Sequence, residues 1–155
     1  MKTRYWSNSG MISIEMCIIN NMPVLFVSAI KGYKDDKMKG KFSGTKLDRN
    51  SRTSIKLQFD DIIDLRQSLV HESNIAFMRN NPNKTLNVAF KQGNDGKQYA
   101  ILAMNGVGVK VEPYKLLAFI DFALDVVKQY IKVSDVTRRN LQIVTNEVIV
   151  DDIDT

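Results

Sequence analysis

Residues 53–63 read Thr53-Ser54-Ile55-Lys56-Leu57-Gln58-Phe59-Asp60-Asp61-Ile62-Ile63. Within this stretch the hydrophobic period changes. Ile55, Leu57 and Phe59 recur every second residue, which marks a half-buried strand. From Phe59 onward, Ile62, Ile63, Arg66, Leu69 and Val70 fall at spacings of three and four, which is the stripe of an amphipathic helix. Asp60 and Asp61 favour the positive end of the helix dipole, and His71 suits the negative end, so the helix should stop near residues 71–74. The junction recurs as Val107-Gly108-Val109-Lys110-Val111-Glu112-Pro113-Tyr114. Pro113 stands at the first helical position, where its missing N–H costs nothing. Leu116, Leu117, Ile120, Ala123, Leu124, Val127 and Ile131 then carry an apolar stripe to about Lys132.

Working outward, each junction is preceded by further strands. Met11–Ile19 alternates, with Ile12, Ile14, Met16 and Ile18 on one face. Asn20-Asn21-Met22-Pro23 signals a turn. Val24–Ile30 is a continuous apolar strand, and Lys37–Leu47 alternates again before the turn at 48–51. In the second half, Ile75–Met78 is a short strand, and Leu86, Val88 and Phe90 alternate. Gly93-Asn94-Asp95-Gly96 and Asn105-Gly106 are hairpin signals around the strand 98–104. The expectation is an α+β fold of two ββββα units, 11–73 and 74–133, in one domain spanning 11–133. Residues 1–10 read as a flexible N-terminal arm, in which Tyr5 and Trp6 stand beside Lys2 and Arg4. Residues 134–155 read as a tail with an acidic tip. Each helix covers one face of its sheet and leaves the other to solvent or a ligand.

Composition bounds the chemistry. At 155 residues, with 44% apolar and 25% charged residues, the chain is an ordinary globule able to bury about 70% of its unfolded surface. Cys17 is the single cysteine and His71 the single histidine. Disulfides, cysteine-rich metal sites and multi-histidine sites are excluded, and a reducing, cytoplasmic setting is expected. No apolar run approaches the 18 or so residues that suggest a membrane span. Asp60, Asp61 and Asp64 serve the helix start better than a metal, and no nucleophile–base constellation is present, so the expectation is no enzyme and no cofactor. Cys17 reads as buried.

Charge is asymmetric. Residues 1–58 hold eleven basic and four acidic residues, net +7; residues 59–155 hold eleven basic and thirteen acidic, net −2. Glu147, Asp151, Asp152 and Asp154 close the chain without a basic partner. A basic front points to a polyanion. Lys31, Lys37, Lys39, Lys41, Lys46, Arg49, Arg52 and Lys56 lie in it, and Lys91, Lys97 and Lys110 continue the set in the second half. Tyr33, Phe42 and Tyr99 are interleaved with these lysines as candidate stacking platforms. Phe42 and Tyr99 also have a core reading, since Phe42 shares a face with Met38 and Tyr99 with Ile101. The lysines of strand 37–47 could equally guard a sheet edge.

Lys39-Gly40-Lys41 entering a strand, together with Ser54-Ile55-Lys56-Leu57-Gln58-Phe59-Asp60 running into a helix, resembles the single-stranded-DNA-binding domain of transcriptional positive cofactor four. The doubling of the unit, repeated at Val109-Lys110-Val111-Glu112-Pro113-Tyr114, is similar to the whirly family, whose signature also contains Lys-Gly-Lys. After Lys41 that signature continues with small and apolar residues, where this chain has Phe42, Ser43 and Gly44. The resemblance spans residues 11–132. It implies a sheet surface that grips single-stranded DNA, in a homodimer or higher oligomer acting in replication, recombination or transcription. The acidic tip is similar to those of replication single-strand-binding proteins of bacteria and tailed phages, which recruit replication proteins, and it points to a phage-type accessory. RNA on the same sheet, or an acidic protein on the basic face, stays open as an alternative.

Overall fold

Paired turn residues set the hairpins. Asn20 and Asn21 both take positive φ, 50° and 66°, so the chain reverses in two residues. Strand β2 (Gly10–Ile19) then pairs along its whole length with β3 (Met22–Lys31), from Gly10 opposite Lys31 to Ile19 opposite Met22. Asn105 and Gly106, at 51° and 77°, do the same between β7 (Gln98–Met104) and β8 (Val107–Val111). In this computed structural model, which describes residues 1–33, 46–80 and 83–131, the remaining elements are β1 (Lys2–Ser7), β4 (Thr53–Leu57), α1 (Phe59–His71), β5 (Ile75–Asn80), β6 (Asn83–Gln92) and α2 (Pro113–Lys128). Two four-stranded antiparallel sheets result, β1-β2-β3-β4 and β5-β6-β7-β8, each followed by one helix. The α+β architecture of two ββββα units is thus present.

Both junctions are built as the residues dictate. At α1, the Gln58 backbone N–H donates to Asp61 Oδ2 at 3.0 Å, closing a capping box. The helix ends at His71, followed by Glu72 in the left-handed region, φ 53°. At α2, Glu112 is the N-cap and Pro113 opens the helix. The second stripe carries the helix to Lys128, not Lys132.

One face of each sheet enters a common core. Ile12, Ile14 and Met16 of β2 meet Ala29, Val27 and Leu25 of β3, which meet Ile55 and Leu57 of β4. Leu86, Val88, Leu102, Met104, Val107 and Val109 do the same in the second sheet, and Ile62, Leu65, Leu116 and Ile120 seal both from the helices. Each such fully buried side chain contributes about 1.5–3 kcal/mol. Between the helices, Arg66 of α1 donates to Asp121 of α2 through Nε (2.5 Å) and Nη2 (2.9 Å).

The sheets are also bolted at their edges. Lys84 Nζ donates to Ser54 O (2.8 Å) and Arg79 Nη2 to Lys56 O (2.9 Å), occupying carbonyls of edge strand β4. Arg79 also reaches Asp61 at 2.8 Å. Ser9 Oγ accepts from Gly108 N–H (3.0 Å) and donates to Gly108 O (3.2 Å), occupying edge strand β8.

Three expectations change. Residues 1–10 are not an arm: Lys2–Ser7 form β1, paired with β2 from Lys2 opposite Glu15 to Ser7 opposite Gly10. Thr3, Tyr5 and Ser7 alternate with Lys2, Arg4 and Trp6, and Tyr5 packs on the core. With two basic residues on its outer face, the strand carries charge suited to a sheet edge. Cys17 is half-buried on the outer face of β2, not in the core, because the core takes the even positions of that strand. Burial nevertheless pushes its thiol pKa up, and neighbouring Glu15 adds to the effect. Third, the four strands of the first unit include β1. The strand expected over 37–47, with Lys37, Lys39, Lys41 and Phe42, lies outside the described residues, as does the tail 134–155.

Candidate nucleic-acid interface

The faces turned away from the core carry the candidate residues. On the first sheet the register sets three rows across the strands: Lys2, Glu15, Phe26 and Lys56; Arg4, Ser13, Ser28 and Ser54; Trp6, Met11 and Ile30. Ser28 and Ser54 share a hydroxyl hydrogen bond at 2.7 Å. Trp6 is 55% exposed. This face therefore carries cations and aromatic rings toward its edges, whereas Met11, Ser13, Ser28 and Ile30 along its middle are buried. Lys2, Arg4, Trp6 and Phe26 were not among the expected site residues. The signal was there in the alternation Lys2/Arg4/Trp6, which becomes readable once residues 2–7 are taken as a strand.

On the second sheet, Lys91 stands opposite Tyr99, and Ile101 stands between Ala89 and Lys110. Tyr99 therefore faces outward. Its core reading fails because Ala100, Leu102 and Met104 take the core positions of β7. The ring is held on three sides. Lys110 Nζ lies 4.2 Å from the ring centroid, a cation–π contact. The Tyr99 hydroxyl donates to the Asp95 carboxylate, while Asp95 Oδ1 accepts the Lys97 N–H at 3.1 Å. A side chain at Gly93 would put its Cβ 2.7 Å from Tyr99 Cε2, so the loop needs glycine there for close approach. The bond from Tyr99, and then that from the Lys97 backbone, holds the Asp95 carboxyl below the usual range. The same bond raises the Tyr99 phenol.

The remaining expected residues divide. Tyr33, Lys46 and Arg49 come together with Leu47, Asp48 and Asn50 around a cleft of about 490 Å³. Gly32 pairs with Leu47, and Tyr33 N–H donates to Lys46 O at 2.8 Å, so the two segments run side by side as a two-stranded neck. Arg52 is exposed just beyond. Lys31 does not join the outer face. It has the parity of Ala29, and its Cε lies 3.4 Å from the position a Cβ on Gly106 would occupy. Lys97 is exposed in the β6–β7 loop.

Ion pairing divides most of the cations, although Lys2 on the outer face lies 3.9 Å from Glu15 and Arg79 of β5 pairs with Asp61. Among the described residues, Arg4, Lys46, Arg49, Arg52, Lys56, Lys91, Lys97 and Lys110 form no ion pair. The helix-side cations do: Arg66 with Asp121, Lys115 with Glu112 (2.6 Å) and Lys128 with Asp125 (3.3 Å). No group of acidic, histidine or cysteine side chains among the described residues is arranged to hold a metal ion, and no described helix is long and apolar enough to cross a membrane.

The sequence matches no known family and no curated protein. Among solved structures the chain is similar to MRP1/MRP2 of Trypanosoma bruciei, with a TM-score of 0.50 and 16% identity over 82% of this chain and 93% of that one. At that identity the likeness is one of fold.

Proposed function

We propose that this chain is a non-enzymatic single-stranded-DNA-binding protein of the positive cofactor four and whirly type. The observation that carries the reading is the sorting of cations. Arg4, Lys56, Lys91 and Lys110, without an ion pair among the described residues, lie on the outer sheet faces with Trp6, Phe26 and Tyr99, and Lys46 and Arg49 lie around the cleft at Tyr33, whereas Arg66, Lys115 and Lys128 on the helices are neutralised within the chain. Single-strand binders need that combination, basic groups for the phosphates and aromatic faces for the bases. An unpaired surface cation is ready to replace a condensed counterion on a phosphate.

The working form is a homo-oligomer. Tyr114, Ala118 and Phe122 are exposed on α2, Phe122 at 62%, and Val126 is half-buried beside them. That apolar surface faces away from the chain's own core and suits a second copy. The function is placed in DNA replication, recombination or transcription in the cytoplasm, the host's if the chain is phage-encoded. The acidic tail would recruit partner proteins.

The test is a titration of the full chain with labelled single-stranded DNA, blunt duplex and single-stranded RNA of equal length at two salt concentrations. Tighter, salt-sensitive binding of single-stranded DNA is expected. Equal affinity for duplex rejects the preference for single strands, and tighter binding of RNA moves the reading to an RNA-binding protein.

A further inference from the structure

We propose that the cleft at the neck is a nucleotide subsite that takes one base against Tyr33 and its phosphate against Lys46 and Arg49. This deepens the proposed function and rests on it where the nucleotide belongs to a strand. Three observations support it. The first is size: about 490 Å³ lies within the range of about 300–1,000 Å³ usual for small-molecule sites. The second is composition. Tyr33, 40% exposed, offers a ring to a base, Leu47 offers an apolar wall, and the Asn50 side chain offers a donor and an acceptor to a base edge. Lys46 and Arg49, exposed and without ion pairs among the described residues, supply charge for a phosphate.

The third is preorganisation. Four hydrogen bonds fix the backbone that forms the wall. Asp48 N–H donates to Lys31 O at 2.9 Å, Lys31 N–H to Ser51 Oγ at 2.8 Å, Ser51 Oγ to Asp48 O at 2.6 Å, and Asn50 N–H to Asp48 Oδ1 at 3.2 Å. The last bond occupies one oxygen of Asp48, the one carboxylate among the described lining residues, which lessens its repulsion of a phosphate. A wall already set in place need not be ordered at the cost of binding energy.

The shared chemistry is a nucleoside monophosphate unit, and its source is either a strand or a free nucleotide. The experiment uses the full chain and its Tyr33→Ala, Tyr33→Phe and Arg49→Ala variants. The probes are labelled oligothymidylate, an abasic deoxyribose-phosphate strand of equal length, and free thymidine monophosphate as competitor. Tyr33→Ala should weaken oligothymidylate binding about five- to tenfold, the low end of one lost base stack. It should leave the abasic strand unaffected, and Tyr33→Phe should restore binding. Arg49→Ala should weaken both strands and flatten the salt slope by about 0.7. If the native chain binds strands while Tyr33→Ala changes neither strand, or both equally, the subsite is overturned and the general function stands. If the native chain binds no strand yet holds thymidine monophosphate through Tyr33, the cleft is a free-nucleotide site and the strand-binding function falls. If neither binds, both fall. Melting curves check that the variants fold, as expected for exposed side chains.

Discussion

Removing two cations from the outer sheet and two from the helices changes the net charge equally, so contact and long-range attraction can be separated. The test pair is Lys91→Ala with Lys110→Ala, neither of which forms an ion pair among the described residues. The control pair is Lys115→Ala with Lys128→Ala, whose ammonium groups already sit 2.6 and 3.3 Å from Glu112 and Asp125. For single strands each neutralised phosphate contributes about 0.7 to the slope of log affinity against log salt, so losing two contacts should flatten it by about 1.4. Between 50 and 200 mM salt, a fourfold change, that difference amounts to about sevenfold in affinity. The control should leave the slope within error, because each of its ammonium groups already has a carboxylate as counter-charge within the chain. Folding should survive in both. The Lys110–Tyr99 contact and the control pairs all lie at the surface, where such contacts add little to folding. Melting points should therefore fall by only a few degrees, at about 2–4 °C per kcal/mol for a chain of this size. Fluorescence anisotropy of labelled oligothymidylate across a salt series is the assay. Equal slopes for the two double variants would refute the argument from cation pairing.

Other outcomes follow from the same contacts. Asp121→Ala strands the Arg66 guanidinium, whose side chain is only 2% exposed, and should cost about 3–5 kcal/mol in urea unfolding. Arg66→Met should cost much less, because the Asp121 side chain is 30% exposed and stays hydrated; equal losses would contradict the reading. Gly93→Ala should push the Tyr99 ring off Asp95, since the new Cβ would sit 2.7 Å from Cε2, and ultraviolet titration should then show the phenol ionising at lower pH. In the native chain the Tyr99 phenol is raised by Asp95, so that contribution to stability is complete below about pH 10 and fades as pH rises through the folded value. The depressed Asp95 carboxyl works in the opposite sense, its contribution being lost as pH falls through its folded value, and Asp95→Asn should remove both dependences from pH-resolved melting curves. Deleting residues 147–155, which hold Glu147, Asp151, Asp152 and Asp154, should tighten single-strand binding at low salt and do little at high salt, where the competition is screened; unchanged low-salt affinity would leave the tip only a recruiting role.

The second unit was readable nearly strand by strand, because its turns carry glycine or asparagine and its helix opens on Pro113. The first unit was readable at β2, β3 and β4 but not at β1. Lys2, Arg4 and Trp6 face outward there, and the opposite face offers only Thr3, Tyr5 and Ser7, so the alternation has little apolar contrast. β7 is apolar on both faces, Tyr99 and Ile101 on one side and Ala100, Leu102 and Met104 on the other, which is why period two could not orient Tyr99. The cleft was not legible at all. Tyr33 and Lys46 meet only because the chain pairs Gly32 with Leu47, and no local pattern announces that closure. The bonds from Arg79 and Lys84 to β4 join residues more than twenty positions apart and have no signature in either segment.

Those edge bonds bear on how the molecule comes apart. Each unit uses the other to occupy an edge, Lys84 and Arg79 reaching β4 from the second and Ser9 reaching β8 from the first. The buried side chains of both units also form one cluster. Opening either half would expose carbonyls and apolar surface of its neighbour at once. The repeat in the sequence therefore does not make two independent folding units, and amide protons in β2 and β6 should exchange through a shared, global opening with similar free energies. A chain cut between residues 73 and 74 would yield two halves with bare strand edges, each disposed to pair with whatever strand it met first.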